Sequence, residues 1–255
     1  MVPYLLERQA ELQTLTTVIE RACQGRGSIV LMPGEAGIGK TSLVHAFLAA
    51  AAGRARVLAG TCEDLLTPRA LGPLRDAARS AAGGPLAAAL SPGADPDLVF
   101  TAVCDELATP PSPAILVIED AHWADCATLD VLRYLGIRMP DLPAVLLVTY
   151  RDDALGRDHS LRGVLGVLGS AAATRLRLTR LTLPAVKNLG VARRRLLVRA
   201  NPGGLARRLD TVCDDSGVVA CLHCMVQDPE QIVVRAREES TKDVRVQFQP
   251  DARRQ

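Results

Sequence analysis

The sequence predicts an α/β protein in which five parallel strands carry helices on both faces and are followed by an irregular C-terminal tail. Three observations predict it. Short apolar runs alternate with helix-forming segments between residues 28 and 178, the pattern of a parallel sheet buried on both sides. A glycine-rich loop, GEAGIGKT at 34–41, joins the first run to the first helix behind it. The third run, ILVI at 115–118, passes directly into the acids Glu119 and Asp120.

Taken in order, residues 4–23 place Leu5, Leu12, Leu15, Val18 and Ile19 at helical spacing among charged residues, an amphipathic helix ending near Gly25 and Gly27. Residues 28–32 (SIVLM) read as the first strand, and residues 41–52 (TSLVHAFLAAAA) as a helix stopped by Gly53. A second strand spans 56–60. The stretch 61–97 is polar and punctuated by prolines, with helical pieces at 72–82 and 85–90, before helical periodicity resumes at 97–107. It reads as an elaboration between strands. Strands at 113–120, 143–150 and 174–178 then alternate with helices at 127–137 and 160–172. Ligands of such sheets bind beyond the carboxyl ends of the strands, where the polar residues of this chain fall.

The loop fits G-x-x-x-x-G-K-[ST], the phosphate-binding pattern, which needs a buried strand before it and a helix after it. Both are present. Gly34, Gly37 and Gly39 let backbone N–H groups turn inward around phosphate oxygens, with Glu35, Ala36 and Ile38 between them. Lys40 is expected on the β and γ phosphates and Thr41 on magnesium, with Ser42 beside them in the first turn of a helix whose N-terminus favours anions. The plain alternative is a glycine-rich turn without a ligand.

In phosphoryl transfer an acid at the end of a neighbouring strand orients magnesium or its water shell, and a second acid activates the attacking water. Adjacent side chains on a strand point opposite ways, so Glu119 and Asp120 serve one atom only if the strand has ended. Asp120 is the first choice and Glu119 its magnesium-side partner, both expected on magnesium and water with Thr41; two solvated acids are the alternative. Thr149 and Arg151 lie at the end of the fourth strand. Arg151 reaches a γ phosphate if that strand runs between the loop strand and the acid strand, and otherwise pairs at the surface with Asp152 or Asp153. No [NT]-K-x-D element follows a strand, which favours adenine over guanine. ATP with Mg2+ is therefore the expected ligand.

A chain of 255 residues, 48% hydrophobic, can bury a sizeable core. No apolar run approaches the roughly 20 residues that cross a bilayer, and the first ten residues lack a signal-peptide pattern, so a cytoplasmic protein with no membrane partner is expected. The seven cysteines suit reduced thiols, with packing roles for Cys23, Cys62, Cys104 and Cys126. The net charge of +2 is uneven: residues 185–255 carry 13 Lys and Arg against 9 Asp and Glu, and residues 1–184 carry 17 against 19.

Several stretches together resemble one family. LLERQAEL at 5–12 is similar to an opening G-R-E-x-E-L element without its glycine, GEAGIGKTSL at 34–43 to the family's phosphate loop, and LGPLRDAA at 71–78 to a recurrent piece between strands. VIEDAHWADCATLDVLRYL at 117–135 resembles its acid strand and following helix, and LLVTYRDD at 146–153 its arginine strand. The family is that of the signal-transducing (STAND-type) P-loop ATPases related to the AAA+ class, as found at the N-terminal side of large LuxR-type transcriptional regulators. The resemblance covers residues 4 to about 184, and E-D-x-H-W-A-D at 119–125 is its most specific part. It implies a P-loop sheet of five strands in the order 5-1-4-3-2, an ATPase domain over 1–184, a slow ATP-driven switch, and self-association through that domain. His122 and Trp123 match the string, with packing of the acid strand against its helix as their expected role. A P-loop phosphotransferase and an inert truncated nucleotide-binding fragment are the alternatives.

After Leu183 and Pro184 the family pattern stops: no lid, winged helix, repeat region or helix-turn-helix follows, and DNA binding is not expected from this chain itself. Residues 185–255 read as a basic appendage or as a tail translated out of the ancestral frame, the second being preferred. Short strands are expected at 218–226, 231–237 and 244–248. Cys213, Cys221, His223 and Cys224 make only a weak zinc pattern, lacking a second C-x-x-C pair. The cluster Arg193, Arg194, Arg195, Arg199, Arg207 and Arg208 has no recognition-helix pattern beside it and reads as a solvated basic segment.

Overall fold

A computed structural model describes residues 7–81, 83–170, 173–182, 232–235 and 247–250. Leu5, the strand expected at 218–226, the zinc pattern and the arginine cluster lie outside the described residues. The chain divides into two compact units, Met1–Thr179 and Arg180–Gln255.

The first unit is built on β1 (Ser28–Pro33), β2 (Arg56–Thr61), β3 (Ala114–Glu119), β4 (Ala144–Tyr150) and β5 (Thr174–Arg175). They form one parallel sheet in the order β2-β3-β4-β1-β5, as the sequence predicts. Parallel strands covered on both faces have no wet side, which is why β1, β3 and β4 read as unbroken apolar runs instead of alternating ones. Alternate residues nevertheless go to different cores. Ile29, Leu31, Leu116, Ile118, Leu146 and Val148 face one apolar cluster, and Val30, Met32, Ile115, Val117, Val145 and Leu147 face the other.

Helices cover both faces. α1 (Gln9–Cys23) and α2 (Lys40–Ala51) supply Leu15, Val18, Ile19, Leu43, Val44 and Phe47 to the second cluster. The first is closed by α3 (Gly72–Ser80), α4 (Pro85–Ala89), α5 (Leu98–Ala108), α6 (Cys126–Arg138) and α7 (Leu161–Ser170). The elaboration after β2 is thus a helical cover. Its closest approach is at Gly60, where a Cβ would stand 1.9 Å from the carbonyl oxygen of Pro73, so only glycine lets α3 lie against β2.

Two boundaries and two cysteines differ from expectation. α1 starts at Gln9, not residue 4, because Glu7 has φ 51°, a left-handed conformation that no helix continues through. The resembled opening element carries its glycine at this place, and glycine adopts such a φ freely. β5 has two residues instead of the expected five, although the Leu176 N–H donates to the Leu31 carbonyl at 2.9 Å and extends its contact with β1. Cys62 is buried and Cys104 half-buried as packing predicts, whereas Cys23 and Cys126 are exposed.

In the second unit β6 (Ile232–Arg235) pairs antiparallel with β7 (Gln247–Pro250), within and beside two of the expected strands.

Candidate nucleotide-binding site

The strand order places the C-terminal ends of β1, β4 and β3 side by side. Met32 lies opposite Thr149, Pro33 opposite Tyr150, and Ile118 opposite Val148. The glycine loop, the acids and Arg151 leave the sheet at this edge, and the condition set for Arg151 is met because β4 runs between β1 and β3.

Within the loop, Gly37 and Gly39 have φ of 74° and 101°, conformations that side-chain-bearing residues rarely adopt. Gly39 ends the loop as the residue before α2. By helix geometry the N–H groups of Lys40, Thr41 and Ser42 have no intrahelical acceptor, and Thr41 and Ser42 are exposed, which leaves a positive helix end open to an anion. Lys40 is buried and its Nζ donates to the carbonyls of Gly34 at 2.7 Å and Glu35 at 2.9 Å. Burial lowers its pKa below the usual lysine value, and the nearby Asp120 carboxylate opposes that shift.

The two acids are held differently. Glu119 ends β3 and its Oε2 accepts a hydrogen bond from the Thr41 hydroxyl at 2.9 Å, a direct link between acid strand and phosphate loop. Burial pushes its carboxyl above the usual range, with the Thr41 hydrogen bond acting the other way. Asp120 lies just past the strand in the left-handed region, φ 53° and ψ 42°. The strand has therefore ended between the two carboxylates, as a shared site requires. The Asp120 N–H donates to the Thr149 hydroxyl at 3.0 Å.

Arg151 emerges at the same edge, but its guanidinium pairs with Asp153 at 2.9 Å, the surface alternative. Exposed pairs of this kind contribute little to stability, so they offer little resistance to a change of partner.

His122 is buried and lies 5.0 Å from the Trp123 ring; neither of its ring nitrogens has a hydrogen-bond partner among the described residues. Burial lowers its pKa and favours the neutral imidazole. Trp123 is 40% exposed, so it packs less fully than expected. It lines a surface pocket with Thr61, Cys62, Arg69 and Asp125. Burial raises the Cys62 thiol to about 12, which keeps it protonated and unreactive.

Two contributors were not read from the sequence. Asp125 accepts from the Thr128 N–H at 3.1 Å, capping α6, and from the Leu71 N–H at 3.2 Å, just ahead of α3. The D-x-x-T spacing after the acid strand carries that cap. Arg8 is 4% exposed and donates to the carbonyls of Ile38, in the loop, and Thr179, after β5. Its place in the opening element was the available signal.

The model of the AAA ATPase domain matches residues 4–148. This chain belongs to the AAA ATPase domain family. Among solved structures, AAA-type folds similar to it include Cdc6p of Pyrobaculum aerophilum, with TM-score 0.55 and 19% identity over 77% of this chain and 52% of that one. The Aeropyrum pernix ORC1 protein, solved in complex with DNA, has TM-score 0.54 and 21% identity over 80% of this chain and 53% of that one. The ORC2 protein of the same organism, in ADPNP-ADP complexes, gives 0.55 and 19% over 77% and 53%. The chain spans about half the length of these proteins. No curated protein matches it.

An AAA ATPase domain binds nucleotide, and the residues present fit Mg2+ beside it. Among the described residues no group of three or more His, Cys, Asp or Glu converges to hold a metal. Magnesium usually takes one or two carboxylates together with substrate phosphates and water, and Thr41 with Glu119 is such a partial set. Among the described residues no helix is long and apolar enough to cross a membrane.

Two outcomes follow from these contacts. Asp125→Ala removes the cap of α6 and the acceptor of the Leu71 N–H, and is expected to cost about 1–2 kcal/mol in urea unfolding. Glu119 holds its proton more tightly folded than unfolded, so its contribution favours folding at low pH and declines as pH rises from 4.5 through the raised folded value. Glu119→Gln should therefore be more stable than wild type at pH 7 in the absence of nucleotide, with the difference shrinking toward pH 4 in urea melts.

Proposed function

We propose that the chain is an ATP-binding regulatory domain, a slow ATPase switch of the kind found at the N-terminal side of LuxR-type transcriptional regulators. The observation that carries this reading is the Thr41–Glu119 hydrogen bond, which joins the phosphate loop to the acid strand beside Lys40 and Asp120. The E-D-x-H-W-A-D string on that strand supports the narrower affiliation.

In this reading the loop N–H groups and the start of α2 bind the phosphates, and Lys40 exchanges the Gly34 and Glu35 carbonyls for β and γ phosphate oxygens. Thr41 and Glu119 hold Mg2+, which when bound offsets phosphate charge. Asp120 orients the attacking water and accepts its proton as the water oxygen bonds to the γ phosphorus and the bond to the ADP oxygen breaks. Arg151 leaves Asp153 for the γ phosphate and so distinguishes ATP from ADP. A switch follows if ATP favours one conformation, the self-associating one, over the other. A phosphotransferase is the second reading, supported by the pocket lined by Thr61, Arg69 and Trp123; turnover dependent on an added small acceptor would select it.

Equilibrium binding of a fluorescent ATP analogue tests the assignment. Lys40→Ala should weaken binding at least about tenfold, and unchanged affinity would remove the phosphate-loop reading. Arg151→Ala should bind ADP as wild type does while losing about tenfold in affinity for ATP.

A further inference from the structure

The ladder between β3 and β4 is regular up to the pair Ile118 and Val148. Beyond it the Asp120 N–H meets a side chain, the Thr149 hydroxyl, at 3.0 Å. Thr149 is 1% exposed. On the other side of β3 the Glu119 carbonyl accepts from the Cys62 N–H at 2.9 Å. The peptide between Glu119 and Asp120 is thus held from both neighbouring strands. This is where the chain enters the left-handed conformation, φ 53° and ψ 42°, which side-chain-bearing residues adopt uncommonly, Asp and Asn more readily than the rest.

Asp120 needs that conformation to leave the strand alternation that would send its carboxylate to the opposite face from Glu119. A valine of nearly the same shape at position 149 would fill the same space without accepting the Asp120 N–H, leaving a part-buried donor without this acceptor. We infer that Thr149 is a positioning residue of the phosphate site: its hydroxyl holds the Asp120 backbone in the left-handed turn and so places two adjacent carboxylates in one site. Thr149 does not touch the nucleotide; it acts through Asp120. The inference rests on the reading of Asp120 as the water-orienting acid.

The test compares Thr149→Val, Thr149→Ser and Lys40→Ala in the full chain. ATP affinity, single-turnover hydrolysis of labelled ATP and hydrogen exchange of the Asp120 amide are measured. Thr149→Val should keep ATP affinity within about threefold, slow hydrolysis at least about tenfold and speed exchange of the Asp120 amide. Thr149→Ser, which retains the acceptor, should restore all three to near wild type. A wild-type hydrolysis rate in Thr149→Val overturns the inference, as does equal slowing in the serine variant, or a wild-type chain that binds ATP without hydrolysing it. If Lys40→Ala loses ATP while Thr149→Val behaves as wild type, the inference alone fails. If Lys40→Ala binds as wild type does, the nucleotide-site reading beneath it fails.

Discussion

The position of β4 between β1 and β3 is the constraint on which the rest of the site depends. Parallel pairing in that order brings three strand ends to one edge, so residues more than a hundred positions apart meet without any long loop being ordered for the purpose. The apolar runs of the three strands hold the register, because a slip of one residue would exchange the two faces of the sheet and mismatch both cores. The Thr41–Glu119 hydrogen bond is a product of this registration, and so is the Thr149 contact with Asp120.

The electrostatics of the site divide in the same way. Lys40 and Glu119 are desolvated, one shifted toward neutrality from above and the other from below, so both charged forms gain from an arriving partner. Arg151 and Asp153 keep water and form a pair of little strength. In the proposed reading the desolvated pair receives phosphate and metal, while the exposed pair is held only weakly.

Much of this was legible in the sequence. The five strands, the helices on both faces and the loop were carried by periodicity and one motif, and the strand order by the family resemblance. Periodicity marks each strand of a doubly covered parallel sheet as an apolar run but does not name its neighbours. Features set by tertiary contact were not legible. Nothing local shows how differently Glu119 and Asp120 are held; their surroundings separate because the strand ends between them and Thr41 approaches one carboxylate. Arg8 looks like a surface residue of an amphipathic helix, yet it is buried, because its guanidinium is satisfied by carbonyls from two distant segments. Trp123, counted as packing, is part-exposed because the pocket after β2 opens beside it.

Arg8 also bears on how the domain may be cut. It precedes the first helix and looks dispensable in an expression fragment trimmed to the regular elements. A fragment beginning at Gln9 would strip the donors from the Ile38 and Thr179 carbonyls and free the floor of the glycine loop from the segment after β5. Such a fragment can keep every strand and helix and still have lost the tie between the glycine loop and the segment after β5, so the boundary of the fold lies upstream of its first secondary-structure element.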